Sequence, residues 1–562
     1  MRRLLFLSLW SLLTALILVG CEGEMVPSAQ PTPLPTPTSP SADVSIPARI
    51  RARGYLLVGV RYDLSPFCYV TEEGGLAGFE VDLGRELAQR WLGDPEAVRF
   101  RQVRSDTAVE HLQARDVDLV LAALIHTERR EEQVDFGPAY FLDGQALLVR
   151  AADVPTITAP ADLGGRLVGV VSGAEAEETL AETVEFTPTI QPYTNFDQAV
   201  TALVGGDVDA VADLRRRLVR GLRSQPDTAI VGQYTSAAVA PAFVHGEPGL
   251  ADLVALTLQE MFVDGAYDEL YARWFPGDTL PAPEVWPGTS TLSLEEAEDT
   301  PSVSGTLEAV QTGGWLRVAM VDGQSPFAYL TEAGEPAGYE VHLVRMLADR
   351  WLGDGTAVNF LPVTFEEGLR MLVEGEADLL IGALPHTREM ELQADFSLTT
   401  YVAGEGMMVR AGAPVGGIAG LDGQAVAAVA DTGSADVLQQ VSREAGVSVV
   451  VFPKASLDEA VAALEAGEVV AVVGDRADLL GPAYTTPGLG VTADRLTRVP
   501  LALALPPGDS AFRDLVNLTL RAMARDGLFP AVYGEWFDDD PPQMDPWAGE
   551  PVGPLRLGTP SP

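Results

Sequence analysis

The residues best suited to binding chemistry lie in one charged segment, His126–Tyr140, which reads HTERREEQVDFGPAY. It follows an apolar, strand-like run, and its charges surround Arg130. A guanidinium can bind a carboxylate through two parallel hydrogen bonds. A near copy of the segment begins at His386, and there Met390 stands in the place of Arg130. The chain therefore carries one segment twice, with a change at its best candidate for binding.

Length and charge limit the classes of function. A chain of 562 residues predicts two to four domains. The net charge of −43 arises from 80 acidic and 37 basic residues. Such a balance argues against nucleic-acid binding and against electrostatic docking on anionic lipid, since phosphates would be repelled.

The cysteines and histidines predict neither a disulfide framework nor a metal site. The chain has two cysteines, Cys21 and Cys68, and five scattered histidines. None of them has the spacing of a zinc site. We expect no cofactor, no metal and no catalytic residue. Cys68 is interpreted as a small buried hydrophobic residue.

The N-terminus predicts the compartment. Residues 1–20 combine two arginines with an apolar run, which is typical of a secretory signal peptide. The ending Leu-Val-Gly-Cys resembles the bacterial lipobox, which implies that Cys21 is lipidated. The alternative is an uncleaved membrane anchor. In either case the body lies outside the cytoplasm, and no other apolar run is long enough to span a bilayer. Residues 21–46 are rich in proline, serine and threonine and predict an extended spacer.

The body alternates strand and helix patterns, which favours largely parallel sheets flanked by helices. Leu56–Val60 is a predicted strand. In the segment that begins at Gly78, the large apolar residues Phe79, Leu83, Leu87 and Trp91 follow the spacing of one helix face.

The whole pattern then occurs a second time. Several landmarks recur at an offset of 260 residues, and the closing pair Trp274-Phe275 recurs at Trp536-Phe537 with an offset of 262. One long period seen twice indicates a tandem duplication and not a solenoid. We predict a first domain at 47–277, a linker at 278–304, a second domain at 305–540 and a disordered tail at 541–562.

Each copy resembles a known family, the extracellular solute-binding proteins of ABC importers that bind polar amino acids. The resemblance rests on Ser65-Pro66-Phe67, the Gly-Phe-Glu-Val-Asp-Leu segment, the strand at Asp118, the charged segment and the closing Trp-Phe pair. It implies an α/β fold class with two tandem periplasmic-binding-protein-like (type II) domains. Each domain would have two α/β lobes around a ligand cleft, closed by a hinge motion.

In this family an arginine holds the ligand carboxylate and an acidic residue on the other lobe holds the ammonium group. In the first copy the resemblance assigns these roles to Arg130 and Asp213, although the spacing before Asp213 is one residue short. Other residues placed at the first cleft are Phe67, Arg61, Arg104 and Ser172, the last at a helix start. The three arginines favour an anionic ligand.

The second copy departs from the family differently. Met390 replaces the arginine, and Pro385 removes a backbone N–H from the same turn. Phe365 supplies a stacking ring, Asp475 keeps the acid at the usual spacing, and Ser434 begins a helix; Phe327 repeats Phe67. We expect the second cleft to bind an ordinary amino acid weakly, to bind another ligand, or to be structural.

The resulting prediction is a lipid-anchored, extracytoplasmic protein that binds a small polar solute, an amino acid, and delivers it to the permease subunits of an ABC importer. A first alternative is a ligand sensor or scaffold with one or both clefts degenerate. A second is a dehydratase-like enzyme, since some relatives of this fold resemble dehydratases of prephenate-type acids. The absence of an evident acid/base pair argues against the enzyme.

Overall fold

The structure of the protein is a computed structural model that describes residues 44–172, 176, 179–180, 189–278, 284–413 and 415–544. The chain separates into a unit of residues 1–44 and one compact unit of residues 45–562. The predicted signal peptide, Cys21, most of the spacer and residues 545–562 of the tail lie outside the described residues. Within the described ranges, no helix has both the length and the apolar character needed to cross a membrane.

The first half of the compact unit contains two lobes, each built on a five-stranded sheet. In lobe 1 the strands Leu56–Val60, Val98–Gln102 and Leu119–Val120 are parallel. The strand Ala242–Phe243, which follows lobe 2 in the chain, pairs antiparallel with Leu119–Val120 and with Asp135–Phe136. In sheet order its strands are Val98–Gln102, Leu56–Val60, Leu119–Val120, Ala242–Phe243 and Asp135–Phe136. In lobe 2 they are Thr189–Tyr193, Leu167–Val171, Ala210–Leu214, Gln145–Arg150 and Thr228–Val231.

Two antiparallel strands join the lobes of the first half. Phe141–Asp143 leads into lobe 2, and Ala237–Val239 pairs with it on the way back to lobe 1. A small three-stranded sheet, Asp63–Leu64, Cys68–Val70 and Leu76–Ala77, lies beside lobe 1. The helices with described bounds are Ile46–Arg53, Phe79–Leu92, Ala108–Gln113, Glu128–Glu131, Phe196–Gly205, Arg215–Ser224, Pro248–Asp264 and Ala266–Trp274, with 3₁₀ turns at Ala151–Asp153 and Pro160–Leu163.

The second half repeats this arrangement. Its lobe 1 sheet has the order Val358–Val363, Leu316–Val321, Leu379–Ile381, Ala504–Leu505 and Asp395–Phe396. Its lobe 2 sheet has the order Val450–Lys454, Ala425–Val429, Ala471–Asp475, Glu405–Arg410 and Leu489–Arg495. The joining strands are Tyr401–Ala403 and Val499–Leu501, and a short hairpin pairs Tyr329–Leu330 with Pro336–Ala337.

The helices of the second half follow the same order. They are Thr306–Gly313, Tyr339–Leu352, Phe365–Val373, Arg388–Glu391, Ser434–Ala445, Leu457–Glu465, Arg476–Thr485, Ser510–Arg525 and Leu528–Gly534, with a 3₁₀ turn at Ile418–Leu421. The helix predicted from the Phe79 periodicity is Phe79–Leu92, which buries Phe79, Leu83 and Leu87. It ends at Gly93, where φ is 75°, a left-handed conformation that glycine adopts without a side-chain clash.

The two halves pack against each other through the two copies of the charged segment. The Arg513 guanidinium lies between the halves, 2.7 Å from Asp135 Oδ1 and 3.2 Å from Asp395 Oδ2. These two aspartates occupy equivalent positions in the two copies, and both are buried. A second pair, Arg525 Nη1 to Glu128 Oε1 at 2.8 Å, also joins the halves. One arginine therefore neutralises the same aspartate of both copies.

The described part of the predicted linker, residues 284–304, contacts both halves. It contains a 3₁₀ turn, Glu296–Asp299, and buries Leu294 and Ala297 in the core of the first half. The Trp286 ring lies over the His386 ring of the second half, with centroids 4.0 Å apart. This segment therefore fastens one half to the other.

Candidate functional site

The turn that carries Arg130 is held by a buried glutamate. Glu80, in the first turn of helix Phe79–Leu92, accepts a hydrogen bond from the backbone N–H of Ala123 and one of 2.6 Å from the Tyr140 hydroxyl. Ala123 has a φ of 45°, which is unusual for a residue with a side chain. Burial raises the pKa of Glu80 to about 7. Glu80 therefore positions the turn between strand Leu119–Val120 and Arg130.

Arg130 itself lies in the short helix Glu128–Glu131, which is capped by the Thr127 side chain at 3.3 Å from the Arg130 N–H. Its Nη1 donates to the Ile125 carbonyl oxygen at 2.6 Å. The side chain is half-buried, and burial lowers the pKa of the guanidinium. Among the described residues no carboxylate forms an ion pair with it. The remaining N–H groups can therefore serve a ligand carboxylate.

The other two predicted arginines are paired with nearby aspartates. Arg61 Nε and Nη2 lie 3.0 and 3.2 Å from the Asp63 carboxylate, and Nη1 lies 3.4 Å from Ser105 Oγ. Arg104 is exposed and forms a similar bidentate pair with Asp106, at 3.1 and 3.2 Å. These aspartates offset the positive charge that the sequence indicated for the first cleft.

Phe67 and Phe327, which we predicted to contact ligand, are core residues in the structure. Phe67 is fully buried and packs against Phe141 and Phe275, with ring centroids 5.0 and 5.3 Å away. Phe327 makes the equivalent contact with Phe537, at 5.5 Å. Because other aromatic rings surround them, neither side chain is available to a ligand in this conformation. Ser172 follows strand Leu167–Val171 and is exposed; the helix start predicted after it, at 173–175, lies outside the described residues.

Asp213 does not occupy the position that the resemblance assigned to it. In the first half Leu214 pairs across the sheet with Gln145, and in the second half Asp475 pairs with Glu405. Gln145 and Glu405 are equivalent at the offset of 260, so the residue equivalent to Asp475 is Leu214. The position at which the resemblance implies an ammonium-binding acid therefore holds a leucine in the first half.

The residues that follow confirm this register. The N–H of Arg215 donates to the Gly144 carbonyl at 2.7 Å, and the N–H of Arg476 donates to the Gly404 carbonyl at 2.9 Å. Leu214 and Asp475 each directly precede a helix, Arg215–Ser224 and Arg476–Thr485. The offset between the halves is thus 261 at this point, and the offset of 262 assumed for Asp213 is wrong by one residue.

A shift of one residue turns a strand side chain to the other face of the sheet. Val211, two residues before Asp213, packs on the face that carries Leu218, whereas Val473, two residues before Asp475, packs on the opposite face. Asp213 accordingly pairs with Arg217 Nη1 at 3.1 Å, and burial raises its pKa. Asp213 is therefore a buried partner of the following helix and not a ligand for an ammonium group.

Lobe 2 of the second half has two neighbouring acids, Asp475 and Glu405. Asp475 ends strand Ala471–Asp475, and its Oδ1 accepts from the Ala477 N–H at 2.8 Å. The neighbouring Glu405 accepts from the buried Ser434 hydroxyl at 3.0 Å. Burial raises the pKa of both carboxyls, and in Glu405 the charges of Asp475 and Asp478 add to that shift. Lobe 2 of the second half therefore presents clustered carboxylates.

On the facing lobe of the second half, Met390 is buried in an apolar cluster with Leu384 and Phe396. Phe365 begins helix Phe365–Val373 and packs, half-buried, against the same cluster. An apolar surface thus takes the place of the arginine of the first half.

Comparison with known proteins decides the family. A family model described as bacterial extracellular solute-binding proteins, family 3, matches residues 56–277 and again residues 316–539. The chain belongs to this family. The predicted fold, two tandem type II α/β domains, is confirmed by the two matches.

The curated relatives described here each cover half of this chain or less. The ABC transporter glutamine-binding protein GlnH of Bacillus subtilis is 28% identical over 286 residues, 50% of this chain and 99% of that protein. The glutamine-binding protein of Geobacillus stearothermophilus is 31% identical over 207 residues, 36% of this chain and 78% of that protein. A solved ancestral cationic amino acid solute binding protein is 29% identical and covers 41% of this chain and 100% of its own, with a TM-score of 0.37.

Three residues that bear on the candidate site were not predicted from the sequence: Glu80, Leu214 and Glu405. Glu80 belongs to the Gly-Phe-Glu-Val-Asp-Leu segment, but its role depends on a contact with Ala123, 43 positions away. Leu214 and Glu405 could have been found by aligning Arg215 with Arg476 in place of Asp213 with Asp475. That alignment was available from the sequence alone.

Among the described residues, one cluster has the residue types of a metal site. Asp135, His245 and Asp514 bring possible ligand atoms within 4.8 Å of one another. However, Arg513 contacts Asp135 Oδ1 at 2.7 Å, and His245 Nδ1 lies 3.0 Å from the same oxygen. The Arg513 guanidinium therefore already supplies the positive charge in this cluster, and we interpret the cluster as part of the contact between the halves.

Proposed function

We propose that the protein binds a small polar solute outside the cytoplasm, through the solute's carboxylate, and delivers it to an ABC importer. The observation that carries the proposal is Arg130. Its guanidinium is half-buried beside the lobe 1 sheet, and among the described residues it bonds only to a backbone carbonyl. Relatives named for binding glutamine, cystine and arginine support an amino acid or a related small acid as the ligand.

The arrangement of the lobes supports a hinge mechanism. Two antiparallel strands, Phe141–Asp143 and Ala237–Val239, are the connections between lobes that carry sheet hydrogen bonds. A ligand held by Arg130 on lobe 1 and by backbone donors on lobe 2 would stabilise the closed form. The ligand is bound and released unchanged, so the proposed role is transport and not catalysis.

Membrane attachment through a lipid on Cys21 is part of the proposal. The Leu-Val-Gly-Cys ending and the proline-rich spacer support it. Lipidation can be tested by labelling cells with a radioactive fatty acid and comparing the protein with its Cys21→Ala variant. Incorporation of label into the natural protein alone is the expected result; equal labelling would refute the anchor.

Calorimetry of the chain against the common amino acids and their deaminated acids tests the binding proposal. Arg130→Ala is expected to weaken binding in the first cleft about ten- to a hundredfold, because a charge-assisted pair contributes about 1.5–3 kcal/mol. Arg129→Ala is the matched control, since Arg129 is exposed on the same short helix. Equal affinities of the two variants would remove Arg130 from the site.

A sensor is the second candidate, and Met390 favours it. A cleft that lost its carboxylate arginine is not a second copy of the same transport site. Deletion of the chain distinguishes the two roles, since loss of solute uptake supports transport and loss of a transcriptional response with normal uptake supports sensing.

A further inference from the structure

The two clefts of this chain differ in charge at equivalent positions. Four cationic or neutral side chains of the first half are replaced by apolar or acidic ones in the second. The pairs, first half then second half, are Arg61 and Val321, Arg130 and Met390, Gln145 and Glu405, and Arg217 and Asp478. Each of these changes removes a positive charge or adds a negative one at its position.

Among the described residues, no basic side chain forms an ion pair with Glu405 or Asp475. Glu405 Oε2 is fully buried and has no hydrogen-bond partner among the described residues. The nearest base in the sequence, Arg476, bonds elsewhere, to the Tyr401 hydroxyl at 2.8 Å and to Asp539 at 3.1 Å. A buried carboxylate oxygen without a donor is unfavourable unless a ligand supplies one.

We infer that the second cleft binds a small organic cation that has no carboxylate, such as a diamine or a guanidine. This rests on the proposed solute-binding function of the fold. Glu405 and Asp475 on lobe 2 accept the N–H groups of the cation. Phe365 on lobe 1 offers an aromatic face of the kind that attracts cations. Met390 makes no ionic contact with a carboxylate, so a ligand that carries one would bury an unpaired charge.

Pairs of ligands that differ only in the carboxylate test the inference directly. Arginine and agmatine, ornithine and putrescine, and lysine and cadaverine are three such pairs. Calorimetry is done on the full chain with Arg130→Ala, which weakens carboxylate binding in the first cleft. We expect at least one of the amines to bind at least tenfold more tightly than its parent amino acid.

Variants assign the binding to the cleft. Glu405→Gln and Asp475→Asn are each expected to weaken amine binding tenfold or more, whereas Asp436→Asn, an exposed acid on the neighbouring helix Ser434–Ala445, leaves it unchanged. Met390→Arg is expected to reverse the preference, so that the amino acid of a pair gains at least tenfold over the amine. Misfolding cannot produce the gain expected of Met390→Arg. For Glu405→Gln and Asp475→Asn, thermal unfolding checks that the variants are folded.

Three results overturn the inference. Tighter binding of the amino acids than of the amines would show that the second cleft still requires a carboxylate. Amine binding that survives Glu405→Gln and Asp475→Asn would place the cation elsewhere. No amine binding, with solute binding intact in the first cleft, would make the second cleft structural. Absence of binding in both clefts of the unmutated chain would instead remove the proposed function.

Discussion

Leu214 and Asp475 occupy the same place in the two halves of the chain. Each ends the central strand of a lobe 2 sheet, pairs with the first residue of the crossover strand and directly precedes a helix. In the proposed site, the first half thus keeps the arginine assigned to the ligand carboxylate and lacks the acid assigned to its ammonium group. The second half keeps the acid and lacks the arginine.

Leu214→Asp is expected to restore ammonium binding in the first cleft. A carboxylate at this position would add a charge-assisted contact of about 1.5–3 kcal/mol, or about ten- to a hundredfold in affinity. The measurement is calorimetry with an amino acid and its deaminated analogue, and only the amino acid gains. Asp213→Asn is the control and leaves the ratio of the two affinities unchanged. A fall in that ratio for Asp213→Asn would return the role to Asp213.

Arg513→Met is expected to destabilise the contact between the halves by about 3–5 kcal/mol, because it leaves the Asp135 and Asp395 carboxylates buried without their base. Urea unfolding followed by tryptophan fluorescence measures the change. Arg370→Met is the control, since Arg370 pairs with Glu374 on an exposed helix face and such pairs contribute at most about 1 kcal/mol. Equal effects of both substitutions would show that the pair between the halves adds nothing.

The free energy of unfolding is expected to fall as the pH rises from about 4.5 to 8. Burial raises the pKa of Glu80 and Glu340 to about 7, of Asp395 to about 6 and of Glu131 to about 8. A raised folded-state pKa gives stability that is present below the unfolded pKa and is lost as the pH passes the folded pKa. At Glu80 and Glu340 the loss is on the order of 3 kcal/mol each.

The Asp135 carboxyl has the opposite effect on the pH dependence of stability, but in a lower pH range. Burial opposes ionisation there, yet Arg513 and His245 outweigh it and lower the pKa of the Asp135 carboxyl, so its contribution is lost only as the pH falls below about 4. Urea unfolding at pH 5, 6, 7 and 8 provides the measurement. The Glu80→Gln, Glu340→Gln double variant should flatten the profile, and a profile that rises with pH in both proteins would contradict the assignment.

Trp286→Ala is expected to loosen residues 284–304 from the second half. The Trp286 ring packs on His386 and is half-buried, so its loss should reduce stability by about 1–3 kcal/mol and speed proteolysis of this segment. Trp315→Ala is the matched control, because that ring is 51% exposed. Unchanged cleavage in Trp286→Ala would show that the other contacts of the segment are sufficient.

The duplication, the α/β class and the contrast between Arg130 and Met390 were readable in the sequence, because each depends on local pattern. Asp213 was misplaced because a strand has a period of two, and one missing residue moves a side chain to the other face. The contact between the halves could not be predicted: Asp135 and Arg513 lie 378 residues apart, and nothing in the spacing of His126–Tyr140 shows that one side of this segment meets another domain.

The lone Arg513 also determines which halves can pair. Its equivalent in the first half is Ala251, whereas Asp135 and Asp252 both have acidic equivalents, Asp395 and Asp514. Two first halves meeting through this surface would bury four aspartates without the arginine, and their repulsion would oppose association. A first half is therefore expected to pair with a second half and not with another first half. Because both halves belong to one chain, each has the other at high local concentration. We therefore expect the two halves of one chain to pair with each other and not with the halves of another chain.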